Sequence, residues 1–194
     1  MNMADIKISR TEHLHQCLRR EVMMSSKKFS WFRVLHKAIK CPNRRFHFWW
    51  RIASYWHHSE SNFLKKRAAK INRNLIFKYG TEIQLGAHIG PGMVISHHHG
   101  IVVNSAAVIG HSLRIRQNTT IGITGANIHK EPISIVIGNN VSIGAGSCII
   151  ADKIRIGDNV VIGAMSFVNK DIPSNTTVYS EKTLHVIPNK LHAA

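Results

Sequence analysis

Three consecutive histidines, His97, His98 and His99, are the densest run of reactive side chains in this 194-residue sequence. Imidazole titrates near neutral pH, so it suits both proton transfer and metal binding. Glu82 precedes His97 by fifteen residues, and His129 stands further on, in the segment ANIHKEP. A carboxylate on the second ring nitrogen of a basic histidine would fix its tautomer and stabilise the imidazolium. Zinc also accepts imidazole readily. Neighbouring residues on a strand point to opposite faces, so residues 97–99 converge poorly on one ion. A zinc site would need His97 or His99 together with a distant partner such as His129. No metal is expected.

The surrounding chain must hold these groups, and its pattern is unusual. Isoleucine recurs every six residues: Ile83, Ile89, Ile95 and Ile101; then Ile109, Ile115 and Ile121; then Ile137, Ile143 and Ile149. Ile156, Ile162 and Val168 continue the series. A period of six is neither helical nor a simple strand alternation; it marks a solenoid with short flat sides. Three hexapeptides make one coil of about 18 residues, with one aliphatic side chain per side pointing inward. The pattern loses step twice, between Ile101 and Ile109 and between Ile121 and Ile137, and the second break reads as a loop leaving the coil. On the 18-residue repeat, Glu82 and His97 fall three residues short of one coil apart, close enough to approach near a corner.

The segments YGTEIQLGAHIGPGMVISHHHGIVVNSAAVIGHSLRIRQNTTIGITG (79–125) and IGNNVSIGAGSCIIADKIRIGDNVVIGAMSFVNKDIPSNTTV (137–178) resemble the hexapeptide-repeat acyltransferases. Within that group they are most similar to serine acetyltransferases and to the O-acetyltransferases of capsule and exopolysaccharide synthesis. The resemblance implies a left-handed parallel β-helix, a homotrimer and acetyl-CoA as co-substrate. It implies His97 as general base on an acceptor hydroxyl, with Glu82 as its acidic partner, where serine acetyltransferases more often carry Asp. It makes His129 the nearest candidate for a second histidine of the acceptor site and Gln117 a polar residue near the acceptor. His98 is expected as a wall residue touching acceptor. On the acetyl-CoA side it points to Gly144, Ala145, Gly163 and Ala164 along the pantetheine arm. It also points to Thr124 and Gly125 at the thioester, and to Lys170 at a phosphate. Small residues are needed at the corners of any such coil, so the glycines and alanines also have a purely structural reading.

The acceptor expectation rests on departures from the serine pattern. Serine acetyltransferases carry Asp directly before the catalytic histidine, and this chain has Ser96. The arginine expected beside the second histidine is out of register. A charged amino acid needs charged partners. A glycan hydroxyl is therefore the first expectation, as in a capsule or exopolysaccharide O-acetyltransferase, and L-serine the second. A zinc hydratase on the same coil and a non-enzymatic scaffold are the other classes weighed.

Residues 1–79 have a different character. Residues 1–80 hold 18 Lys and Arg against 4 Asp and Glu, whereas residues 81–194 hold 8 against 6. Apolar residues recur at helical spacing, and the expectation is three or four helices with a break near Pro42. Ser59 or Ser61 would cap the last helix and Gly80 would stop it. Aromatic and basic residues interleave, as in Trp31, Arg33, Arg45, Trp49 and Trp50. This suits either a solvated helical bundle or an anionic membrane surface. No nucleic-acid motif accompanies the charge. With no secretory leader or membrane-spanning run evident, and three scattered cysteines, a cytoplasmic location is expected, peripheral to the membrane at most. The expected layout is a helical segment over 1–79, an acyltransferase β-helix over 80–178 and a tail over 179–194.

Overall fold

The computed structural model describes residues 8–125, 132–181 and 183. The first half is helical: α1 (Arg10–Leu18), a π-helical turn (Arg19–Met23), α2 (Trp31–Lys40), α3 (Pro42–His57) and α4 (Asn62–Tyr79). Pro42 opens α3 at a first-turn position, where its missing N–H removes no helical bond. Of the two serines considered, Ser61 caps α4, its hydroxyl accepting from the Leu64 N–H at 3.4 Å. Gly80 ends α4 in the left-handed conformation, φ 60°.

Fourteen short strands follow, and all of their pairings are parallel. They stack into three flat sides of a left-handed parallel β-helix of about five coils. One side carries β1 (Thr81–Ile83), β4 (Ile101–Val103), β7 (Thr120–Gly122), β10 (Cys148–Ile150) and β13 (Phe167–Val168). The second carries β2 (His88–Ile89), β5 (Ala107–Ile109), β8 (Ser134–Ile137) and β11 (Lys153–Ile156). The third carries β3 (Val94–Ser96), β6 (Arg114–Arg116), β9 (Ser142–Ile143), β12 (Val161–Ile162) and β14 (Thr177–Val178). Nearly all the isoleucines of the six-residue series are buried, with Ile95 partly so.

The register relocates the first break in the repeat. Ile83 pairs with Val103 and Val103 with Ile121, so Val103 holds the ladder position and Ile109 follows it six residues later. The extra two residues therefore lie before Ile101 and not after it. They fall in the corner 97–100, between β3 and β4.

The helices share a core with the coil. Phe46, Trp50, Ala53, Ala68 and Leu75 belong to one apolar cluster with Ile83, Ile89 and the ladders beyond them. The Trp50 indole N–H donates to the Ile83 carbonyl at 3.0 Å. At the centre of the joint is a buried ion pair. Arg51 donates to both carboxylate oxygens of Glu21, Nε to Oε2 at 2.9 Å and Nη2 to Oε1 at 2.6 Å. The same guanidinium donates to the carbonyls of Ile89 and Gly90 at 2.6 and 2.9 Å. Glu21 in turn accepts the N–H groups of Gly92 and Met93 at 2.8 and 2.9 Å. Burial alone would push the Glu21 carboxyl up, but the Arg51 guanidinium outweighs it and holds the carboxyl below its ordinary range. Two charges thus satisfy the backbone turn that follows β2, in the coil that carries both Glu82 and His97.

Candidate functional site

The corner 97–100 departs from the coil's own rule. In the next coil the stacked corner is Gln117–Asn118, because Ser96 pairs with Arg116 and Val102 with Thr120. Above it, in line, lie Ala145–Gly146 and then Ala164–Met165, tied by Gly146 N–H to Gln117 O at 3.0 Å and Met165 N–H to Ala145 O at 2.8 Å. Each regular corner has two residues, the second left-handed: Asn118 (φ 55°), Gly146 (φ 71°) and Met165 (φ 59°). The histidine corner has four residues, of which three are left-handed: His97 (φ 61°), His99 (φ 90°) and Gly100 (φ 67°). Non-glycine residues rarely take this conformation, and when they do they cluster at functional sites. Gly100 is required: a Cβ there would lie 2.2 Å from Asn118 Oδ1. Backbone bonds clamp the corner from both sides, with Gly100 N–H to Gly80 O at 2.7 Å and Asn118 N–H to His99 O at 3.0 Å.

This geometry sends the three histidines in different directions. The ring of His97 is exposed. The ring of His98 packs against the helical segment, with centroids 4.7 Å from Phe46 and 5.0 Å from Tyr79, and its Nδ1 lies 3.1 Å from Thr81 Oγ1. Burial, with His47 and His99 nearby, pushes its pKa down to about 4, so the ring is neutral near pH 7. His99 is exposed, its Nδ1 beside Gly80. The three do not occupy a strand, which is why strand alternation was the wrong reason to separate them. Among the described residues, no group of three or more His, Cys, Asp and Glu is arranged to hold a metal ion.

Glu82 is on β1 and faces outward, opposite Val102. Its Oε1 accepts from Gln84 Nε2 at 3.3 Å, and Gln84 Oε1 accepts from the Ser105 N–H at 2.8 Å. Gln84 thus anchors the carboxylate to the next coil. It was not singled out in the sequence, although residues two apart along an extended segment share a face. Among the described residues no hydrogen bond joins Glu82 to His97. Gln117 sits directly over His97 at the same edge, and its side-chain carbonyl oxygen is buried without a hydrogen-bond partner among the described residues.

The small residues divide into two groups. Gly144, Ala145, Gly163 and Ala164 stand on the histidine edge, in the two coils beyond Gln117. A Cβ on Gly144 would meet the Ala164 N at 2.4 Å, so coil stacking alone demands glycine there. Thr124 and Gly125 follow β7 at the opposite end of that side, where the Asp152 carboxylate accepts from the Thr124 N–H at 2.9 Å and from its hydroxyl at 2.5 Å. Lys170 is exposed at the same far edge, after β13. Side one of the coil, with Glu82 and Thr120 facing out, runs between the two edges. His129 lies outside the described residues, as does most of the C-terminal tail.

No family model matches the chain. Individual proteins do. The chain is 35% identical over 128 residues to a serine acetyltransferase of Synechococcus elongatus, covering 66% of this chain and 50% of that protein. It is 33% identical over 133 residues to a serine acetyltransferase of Helicobacter pylori, covering 69% of this chain and 74% of that protein. The chain therefore spans about half the length of the first relative and about three quarters of the second. The solved structure of the Neisseria gonorrhoeae serine acetyltransferase in complex with serine superposes with a TM-score of 0.66 at 24% identity, covering 89% of this chain and 67% of that one, a likeness of fold. The chain belongs to the serine acetyltransferase family.

Proposed function

We propose that the protein transfers the acetyl group of acetyl-CoA to the hydroxyl of L-serine. The observation that carries this reading is the family relationship, joined to an exposed histidine on a strained, inserted corner. It reverses the order expected from the sequence, where Ser96 and the missing arginine put a glycan hydroxyl first. The relatives named above are serine acetyltransferases, which favours L-serine over a glycan hydroxyl. Ser96 then has to serve the amino acid as a neutral hydrogen-bonding group where relatives use a carboxylate, which favours weaker serine binding.

In the reaction, His97 accepts the proton of the serine hydroxyl as its oxygen attacks the thioester carbonyl. The tetrahedral intermediate collapses, the C–S bond breaks, and the imidazolium returns its proton to the leaving CoA thiolate. Glu82 stabilises the imidazolium, and Gln84 keeps that carboxylate extended along the outer face of β1. Gln117 accepts a hydrogen bond from the bound acceptor. The pantetheine arm lies along the edge formed by Gly144, Ala145, Gly163 and Ala164. Thr124, Gly125 and Lys170 meet acetyl-CoA from the far edge, which suits a groove shared between subunits of a homotrimer. His129 belongs to the same proposal as an acceptor-site group. The location follows as cytoplasmic, where acetyl-CoA is made.

The test is CoA release on incubation with acetyl-CoA and either L-serine or oligosaccharide acceptors. Release that depends on L-serine is expected. Release with the oligosaccharide alone would restore the glycan reading, and no release with any acceptor would leave a scaffold.

A further inference from the structure

The helix α2 (Trp31–Lys40) turns only Val34 and Ala38 into the bundle. Its remaining apolar residues face outward: Phe32 is 80% exposed and Ile39 71%, with Leu35 and Trp31 near half. Phe32, Leu35 and Ile39 are spaced three and four apart, so they form one stripe along the helix. Arg33, Lys37 and Lys40 stand on the same ten-residue helix. At its start a groove of about 390 Å³ is lined by Ser25, Lys27, Phe32, Arg33 and Lys37 among others, an apolar floor ringed by cations. Beside it an aromatic trough of about 360 Å³ is lined by Trp31, Trp49, Tyr55 and Trp56. From Val22 to Ser59 the sequence contains no Asp or Glu.

We propose that α2 is a membrane-surface helix, which lays its Phe32–Leu35–Ile39 stripe into the headgroup boundary of an anionic bilayer while Arg33 and Lys40, on the exposed flank of the stripe, and Lys27, beside Phe32 in the groove, bind lipid phosphates. An exposed apolar stripe flanked by cations, with tryptophan and tyrosine alongside, is the composition such an interface selects. The helix lies on the surface and does not span: no helix among the described residues is long and apolar enough to cross a membrane. A second copy of the chain fits poorly, because pairing this helix with itself would press Arg33 and Lys40 against their own kind, in a stretch of sequence from Val22 to Ser59 that holds no Asp or Glu. The docking is independent of the acceptor used at the histidine corner.

The experiment is flotation of the full chain with phosphatidylcholine vesicles, with and without phosphatidylglycerol, at low and high salt. Wild type is expected to float only with the phosphatidylglycerol vesicles and to be released by salt. Phe32→Ser/Ile39→Ser removes two solvent-facing side chains and should weaken partitioning at least about tenfold. Lys40→Gln should weaken it about fivefold on anionic vesicles only. Both variants should keep the wild-type circular dichroism and CoA-release rate. Quenching of tryptophan fluorescence by brominated lipid should accompany wild-type binding. The proposal is overturned if wild type does not float. It is overturned equally if the Phe32/Ile39 variant floats as wild type does, or if that variant changes only the sedimentation mass, which would mark the stripe as a contact between copies.

Discussion

Two corners stacked on one edge of the β-helix differ by two residues, and the difference separates architecture from chemistry. Gln117–Asn118 is the minimal corner: two residues, one of them left-handed, closing a coil of regular length. His97–Gly100 is the same corner with an insertion, three of its four residues left-handed. The extra length is what lets one histidine face solvent while its neighbour packs under Phe46 and Tyr79. The strain, of order 1–3 kcal/mol per unfavourable residue, is tolerated because the clamped coils and the helical joint overdetermine the backbone.

The comparison can be broken most severely by erasing the insertion. Deleting His98 and His99 leaves His97–Gly100 as a two-residue corner with glycine at the left-handed position. CoA release should fall about a thousandfold, while the circular dichroism of the coil persists. An undiminished rate would show that the insertion is incidental. Next in size is the joint that anchors the inserted coil. Glu21→Ala strands the Arg51 charge and two backbone N–H groups in the interior, and should cost about 3–5 kcal/mol in denaturant unfolding. A loss within error of zero would mean the helices do not hold the coil.

Smaller changes sharpen the role of each side chain. Glu82→Gln should lower kcat about tenfold to a hundredfold, the worth of a charge-assisted hydrogen bond, with little change in melting. Gln84→Ala should lower kcat about fivefold by freeing that carboxylate. The weakest effect concerns His98, half-buried and held neutral. Its folded pKa of about 4 lies below the ordinary 6.5, so its contribution to stability is complete above pH 6.5 and declines as the pH falls toward 4. His13, stacked on His88 and likewise pushed down to about 4 by burial, loses stability over the same window. His98→Phe should reduce the decline between pH 6.5 and 4 in thermal melts, and an unchanged slope would assign it to the other histidines whose pKa burial lowers, His13, His47 and His88 among them.

Much of this was legible beforehand because the six-residue period has a single geometric solution. Ile109, Ile115, Ile121 and their successors are buried where the repeat requires, and Gly80, Pro42 and Ser61 punctuate the helices as their backbone preferences dictate. The position of the slip was not legible, because Ile101 and Val103 are equally apolar and both buried; only pairing decides which continues the ladder. The Glu21–Arg51 pair was hidden for a related reason. A buried charge looks like a solvated one until its partners, thirty and about seventy residues away, are placed around it. The direction of the His98 ring was not legible, because a run of three histidines gives no hint that its middle ring turns toward the helices. The acceptor expectation turned on Ser96, whereas the proposal of L-serine rests on the kinship of the chain.

The central claim is that His97, on its inserted corner, is the base that activates serine. CoA release should be measured with saturating acetyl-CoA and L-serine for wild type and His97→Ala, alongside their melting curves. The expected result is serine-dependent release that falls about 10²–10⁴-fold in the variant with melting unchanged. A His97→Ala protein that releases CoA at nearly the wild-type rate would contradict it.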